Sequence, residues 1–197
     1  ASDPGSAAEG RETYLLQAAM AAAGANGGLL CWTPDRSGRC TAIGAGTLAG
    51  EGGTGEHARC RMTSQSHAFA FDLKRGRAIE QTANNGWRAL SVAELASAQL
   101  SDLPPCSGLA APLAGITGQG RLVLTDLRAL DIFGVRQMIA LAEQVATEMD
   151  RLEFESAERH AAELELRHTL SHELHDGVAQ SLAGACFWLA SLKRKAQ

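Results

Sequence analysis

The chain has 197 residues, 45% of them hydrophobic and 5% aromatic, and a formal net charge of −4. That length allows one well-packed domain plus an extension. The missing basic footprint and scarce aromatics argue against direct nucleic-acid binding, and no apolar run reaches the roughly 20 residues of a membrane helix.

In chain order, "ASDPGSAAEG" (1–10) is expected to be a disordered lead or cloning remnant. Residues 11–24, "RETYLLQAAMAAAG", carry helix formers stopped by Gly24. "GLLCWT" and "CTAIGAG", joined by the turn-rich "PDRSGR", predict a hairpin. "GEGGTG" (50–55) formally satisfies a dinucleotide pattern, but no βαβ context surrounds it, so a flexible loop over a pocket is the better reading. "SQSHAFAFDLKRGRAIEQT" reads as a helix ending near Arg75-Gly76 and passing into a short strand. A helical and loop section through "SVAELASAQLSDLPPC" follows, and then "GLAAPLAG", the turn "ITGQG" and "RLVLTD" predict a second hairpin.

From Asp131 onward apolar residues recur at helical spacing. Val135, Met138, Ala142, Val145, Met149 and Leu152 form one stripe, which weakens through Phe154, Ala157, Ala161 and Leu164. A second stripe in another phase runs through Leu166, Leu170, Leu174, Val178, Leu182, Leu189 and Leu192. So long an extension has no remaining chain to bury against, so a parallel homodimer along residues 135–192 is expected.

Five cysteines (Cys31, Cys40, Cys60, Cys106, Cys186) without a C-x-x-C pair suit a reducing cytosol and buried, inert thiols. Trp32 and Trp87 are expected in the core. "HELH" lacks the H-E-x-x-H spacing of a zinc protease, and His168 and His172, four apart, have no evident third ligand, so no metal site is expected.

"ELHDGVAQSL" is different, because Asp176 and Gln180 share a helical strip beside His175. An acid that accepts a hydrogen bond from one imidazole nitrogen holds the tautomer in which the other nitrogen is a nucleophile. A glutamine amide donates and accepts, as positioning a water requires. Gly177, costing about 1 kcal/mol inside a helix, is expected to clear space near the imidazole.

"LSHELHDGVAQSL" closely resembles the phosphoacceptor helix of sensor histidine kinases of the NarX, LiaS and DesK type, with Glu173, Leu174, His175, Asp176 and Gln180 matching the motif. The resemblance implies that His175 is phosphorylated, that Asp176 assists it, and that Gln180 aligns water when a response regulator is dephosphorylated. Upstream, residues 11–148 resemble a GAF domain through a leading helix, the sheet ending in "GLAAPLAG…GRLVLTD" and the helix "MIALAEQVATEMDRL". The Cys-His pair typical of bilin-binding members and an N-K-F-D-E-type cyclic-nucleotide signature are lacking, so the GAF ligand is unknown.

The implied fold is α+β, a GAF-like antiparallel sheet with flanking helices followed by a long C-terminal coiled-coil helix. The implied organisation is sensor 11–148, connector 149–165 and first phosphotransfer helix 166–197. ATP and Mg2+ would be bound only by a catalytic domain of the intact kinase that this sequence does not contain. The implied partners are a second copy and the receiver domain of a response regulator, in the cytoplasm. A GAF-containing dimeric coiled-coil adaptor without phosphoryl chemistry is the alternative.

Overall fold

The computed structural model describes residues 4–51, 53–54, 67–82, 84, 86–91, 94, 103–127 and 131–195. Helix α1 spans Pro4–Ala23 and α2 spans Ile132–Lys195. Between them lie β1 (Gly27–Pro34), β2 (Thr41–Gly46), β3 (Gly53–Thr54), β4 (Phe69–Asp72), β5 (Arg77–Gln81), β6 (Trp87–Leu90), β7 (Ser107–Ala114) and β8 (Gly118–Thr125). The strands form one sheet in the order β3-β2-β1-β8-β7-β4-β5-β6, with every neighbouring pair antiparallel. Two compact units are present, Ala1–Glu153 and Phe154–Gln197.

Helix α1 ends where Gly24 implies. Gly24 adopts φ 65°, its N–H reaches the Ala21 carbonyl at 3.3 Å, and Ala25 N–H reaches that of Met20 at 2.9 Å. This is the paired closure of a Schellman motif, which favours glycine. The helix begins earlier than expected, at Pro4, inside the stretch assigned to a flexible lead. Proline is tolerated in a first helical turn, and the alanines after it propagate a helix at little entropic cost. At the other end of the unit, Asp131 caps α2 by accepting Gly134 N–H at 2.7 Å.

Both expected hairpins form. Leu29 pairs Gly44 and Cys31 pairs Ala42 in β1–β2, and Ala111 pairs Leu122 in β7–β8. The expected helix over "SHAFAFDLKRG" is instead the hairpin β4–β5, in which Phe69 pairs Glu80 and Asp72 pairs Arg77. Phe69 and Phe71 bury their rings on one face of the sheet, which requires the two-residue period of a strand. Gly76, at φ 60°, takes the left-handed turn position.

Strand alternation divides the core. On one face Leu30, Trp32, Leu109, Ala111, Leu122 and Leu124 pack with Leu16 of α1 and with α2. On the other, Leu29, Cys31, Phe69, Phe71, Ala110 and Val123 pack with Leu48, Leu90 and Cys106. Trp32 is buried and Trp87 packs against the first cluster, both as expected. Val135, Met138, Ala142, Val145 and Met149 are at most 4% exposed. Their stripe is spent on the sheet of the same chain, which corrects the expectation that it faces a partner helix. Met149 and Asp150 belong to this core, and the first compact unit runs to Glu153, so it takes in the first residues assigned to the connector.

Cysteine usage departs from expectation at two positions. Cys40 is disulfide-bonded and Cys186 is exposed; Cys60 lies outside the described residues. Since disulfides persist in oxidising surroundings, cysteine usage no longer supports a cytoplasmic placement. Cys31 and Cys106 are buried thiols, as expected. Burial pushes Cys31 up to about 12 against the opposing pull of Arg121. Burial, with Asp126, pushes Cys106 up to about 11. Among the described residues, no helix is long and apolar enough to cross a membrane.

A polar contact joins α2 to the β7–β8 turn. Asp150, buried on α2, accepts Ile116 N–H at 2.7 Å, Thr117 N–H at 2.8 Å and the Thr117 hydroxyl at 2.6 Å from the β7–β8 turn. Gly115 makes room for this contact: a Cβ there would stand 2.5 Å from Asp150 Oδ1 and 2.6 Å from the Trp32 ring. Burial tends to raise the Asp150 pKa, but the bonds from Thr117 and Ile116 outweigh it and hold the carboxyl below its ordinary value.

Asp150→Ala should destabilise the first unit by about 2–4 kcal/mol at neutral pH in urea denaturation, since it removes three hydrogen bonds to a charged, buried acceptor. Because the folded pKa is depressed, the contribution is present above the unfolded carboxylate pKa and is lost as pH falls through the folded value. The difference between wild type and variant should therefore shrink below about pH 4.

Candidate functional site

The chemistry-bearing residues expected from sequence lie on the second unit, in the continuous helix α2. The His175 side chain is 85% exposed, and its Nδ1 lies 3.6 Å from Asp176 Oδ1. That separation gives electrostatic attraction and exceeds hydrogen-bond range. The other carboxylate oxygen, Oδ2, lies 3.2 Å from Nδ1 of His172, one turn earlier. Gln180 is exposed one turn beyond Asp176. The three expected residues therefore share one exposed stretch of helix, and the residue nearest Asp176 is one the motif does not name.

With about 100° per residue, Leu166, Leu170, Leu174, Val178 and Leu182 sweep an apolar arc of about 160°, because each four-residue step overshoots a turn by about 40°. All five are between 49% and 69% exposed. His175 falls about 20° outside the edge of this arc at Leu182, followed by His172, Asp176 and Gln180 across the polar side. An arc this broad exceeds the narrow seam of a two-stranded coiled coil. The side chains of Leu189 and Leu192 lie outside the described ones.

Gly177 does not relieve the imidazole. It lies about 160° around the helix from His175, within the apolar arc, and a Cβ there would meet nothing within 4 Å. Its effect is to flatten the apolar side. Among the described residues no three His, Cys, Asp or Glu side chains are grouped to hold a metal ion.

The first unit holds a second polar set that the sequence did not single out. Arg121 on β8 is 1% exposed and stands 5.3 Å from the centre of the Phe69 ring. Burial brings its guanidinium down to about 10, with Cys31 and Glu80 opposing the shift. Buried Glu80 meets Arg88 at 2.7 Å and His67 at 3.6 Å. Arg88 also meets Glu94 at 2.7 Å. Ser91 and Glu94 cap each other, with Ser91 N–H donating to Glu94 at 2.8 Å and Glu94 N–H to the Ser91 hydroxyl at 3.3 Å. These bonds, those from Ser91 foremost, hold the Glu94 carboxyl down at about 2. Of the glycine-rich stretch 50–55, expected as a flexible loop over a pocket, Gly50 and Glu51 belong to a 3-10 turn (Ala49–Glu51) and Gly53–Thr54 form β3, while Gly52 and Gly55 lie outside the described residues. On the helical side of the sheet, α1 and α2 border clefts of about 460 and 480 Å3 that share Ala22, Leu141 and Gln144.

No family model matches the chain, and no curated protein matches it. Among solved structures, the phycoerythrobilin-bound GAF domain from a cyanobacterial phytochrome is similar with a TM-score of 0.47 and 13% identity, over 79% of this chain and 100% of that one. The phycocyanobilin-bound GAF domain from a cyanobacterial phytochrome gives 0.45 and 14%, over 79% and 98%. The first unit has the expected α+β fold class, an antiparallel sheet centred on β2-β1-β8-β7-β4-β5 with α1 and α2 packed on one face.

The two halves of the apolar pattern on α2 make different demands, and aspartate substitutions separate them. Val145→Asp should cost more than about 3 kcal/mol in stability of the first unit, because a carboxylate would be buried without a partner. Val178→Asp should fall within about 0.5 kcal/mol when measured below the concentration at which any self-association occurs. Both are read by denaturation followed at Trp32.

Proposed function

We propose that the chain is the GAF sensor domain, connector helix and first phosphotransfer helix of a two-component sensor histidine kinase. The observation that supports this best is the pairing of an exposed His175 with Asp176 on its Nδ1 side, at the edge of an exposed apolar arc. A phosphoacceptor must be reachable by a separate catalytic domain, and the helix bearing it needs a surface on which to assemble.

In the proposed reaction, ATP and Mg2+ are held by a catalytic domain. The Nε2 lone pair of His175 attacks the γ-phosphorus; the N–P bond forms as the P–O bond to ADP breaks, and the Nδ1 proton passes by way of Asp176 to solvent. The phosphoryl group then moves to an aspartate of a response regulator, breaking the N–P bond and regenerating the imidazole. Gln180 takes the reverse duty, aligning a water for hydrolysis of the regulator's aspartyl phosphate.

The exposed arc is compatible with a second reading, a GAF-containing dimeric adaptor without phosphoryl chemistry, and labelling distinguishes the two. With the catalytic domain supplied, [γ-32P]ATP should give an acid-labile label on His175 that His175→Gln removes. An unlabelled wild type under conditions where the catalytic domain hydrolyses ATP would favour the adaptor. Gln180→Ala should retain most of the labelling while slowing regulator dephosphorylation at least tenfold, and unchanged dephosphorylation would return Gln180 to an ordinary solvated position.

In both readings the dimer is built along residues 154–192, a shorter seam than sequence periodicity implies. Sedimentation should show concentration-dependent dimers that Leu174→Glu abolishes. A wild-type monomer at high micromolar concentration would contradict it.

A further inference from the structure

We propose that His172 is a positioning residue for His175, acting through Asp176. The inference rests on the phosphoacceptor reading of His175 and adds a residue that the motif does not supply.

Neighbouring residues on a helix diverge by about 100°, so Asp176 does not lie over the imidazole of His175 by virtue of sequence adjacency. Its natural helical partners are four residues away, His172 before it and Gln180 after it. The carboxylate takes the first: Oδ2 is 3.2 Å from His172 Nδ1, while Oδ1 is 3.6 Å from His175 Nδ1. On the helix circumference His172 stands between the two, about 60° from His175 and about 40° from Asp176.

A carboxylate held by His172 is therefore drawn to the His175 side of its range. Released from it, the carboxylate would turn to solvent or to the Gln180 amide, away from Nδ1, and Glu173 three residues before it would repel it from the preceding turn. The consequence is tautomeric. With the carboxylate 3.6 Å from Nδ1, its charge favours the tautomer that carries the proton on Nδ1 and presents the Nε2 lone pair outward; without it, the two tautomers mix and fewer molecules are poised to attack.

The test uses the chain itself with phosphoramidate as a phosphoryl donor that needs no catalytic domain. Nε2 attacks phosphorus, the N–P bond to the imidazole forms, the P–N bond to the leaving ammonia breaks, and Nδ1 gives up its proton. Labelling at each histidine is followed by mass spectrometry at neutral pH, and the His175 tautomer by long-range 1H–15N correlation. His172→Ala should slow labelling at His175 about two- to threefold, the scale of an exposed i,i+4 pair, and lower the Nδ1–H fraction. His172→Arg, which restores a donor at that position, should recover both.

In an Asp176→Ala background, His172→Ala should have no further effect, because the path runs through the missing carboxylate. Unchanged rate and tautomer in His172→Ala would overturn the proposal, as would an equal loss in the Asp176→Ala background or a rise in His175 labelling. None of these bears on whether His175 is the acceptor. That reading fails separately, if ATP and the catalytic domain label a residue other than His175.

Discussion

The contact between Asp150 and the β7–β8 turn seats α2 on the rest of the first unit. It is a buried carboxylate taking three hydrogen bonds, and such a group tolerates no half-satisfied alternative. Apolar packing alone would let a helix slide or rotate on a sheet, since leucines and alanines impose little register on one another. The carboxylate removes that freedom by requiring one helical residue to stand above Ile116 and Thr117. Gly115 makes the approach possible, and Trp32 fills the space beneath it. The register of α2 on the sheet, and with it the set of residues that meet the core, follows from this polar contact.

The hairpins β1–β2 and β7–β8, the stop of α1 at Gly24 and the start of α2 at Asp131 were legible because each depends on local chemistry: alternation, turn residues and caps. The β4–β5 hairpin was not. Ala, Leu, Lys and Arg favour helix, and a four-residue strand holds too few alternations to outweigh them; the deciding fact was the burial of Phe69 and Phe71 beside Ala110 and Val123 of distant strands. Arg121 was hidden for a related reason. On a strand, an arginine between apolar residues reads as the solvated side, yet here that side is covered and the guanidinium stands near the Phe69 ring.

In the candidate site, His175, Asp176 and Gln180 were legible through a dense motif of polar types on one helix. His172 was set aside because it lies off the acceptor position, although four-residue spacing to Asp176 is itself a sequence-visible pairing signal. Asp150 gave no signal, since an isolated acid on a helix ordinarily faces water. Gly177 was assigned to the wrong side, an error that helical phase corrects: two residues along a helix are nearly opposite one another.

The helix α2 shows why periodicity alone cannot name a partner. Val135 to Met149 and Leu166 to Leu182 both present apolar side chains at helical spacing, yet the first set is buried in its own unit and the second is about half exposed. Full burial of such a side chain is worth roughly 1.5–3 kcal/mol, so the five exposed residues retain roughly 1 kcal/mol each to be gained. Two copies would gain on the order of 10 kcal/mol from this arc. That is within the range of about 4–15 kcal/mol that association costs in lost freedom. The balance is close, so an assembly along this surface is sensitive to small contributions from its edges. Phe154 and Leu164 are also exposed on the second unit and add to the favourable side. A histidine at the margin of so finely balanced a surface sits where small changes in packing alter its surroundings.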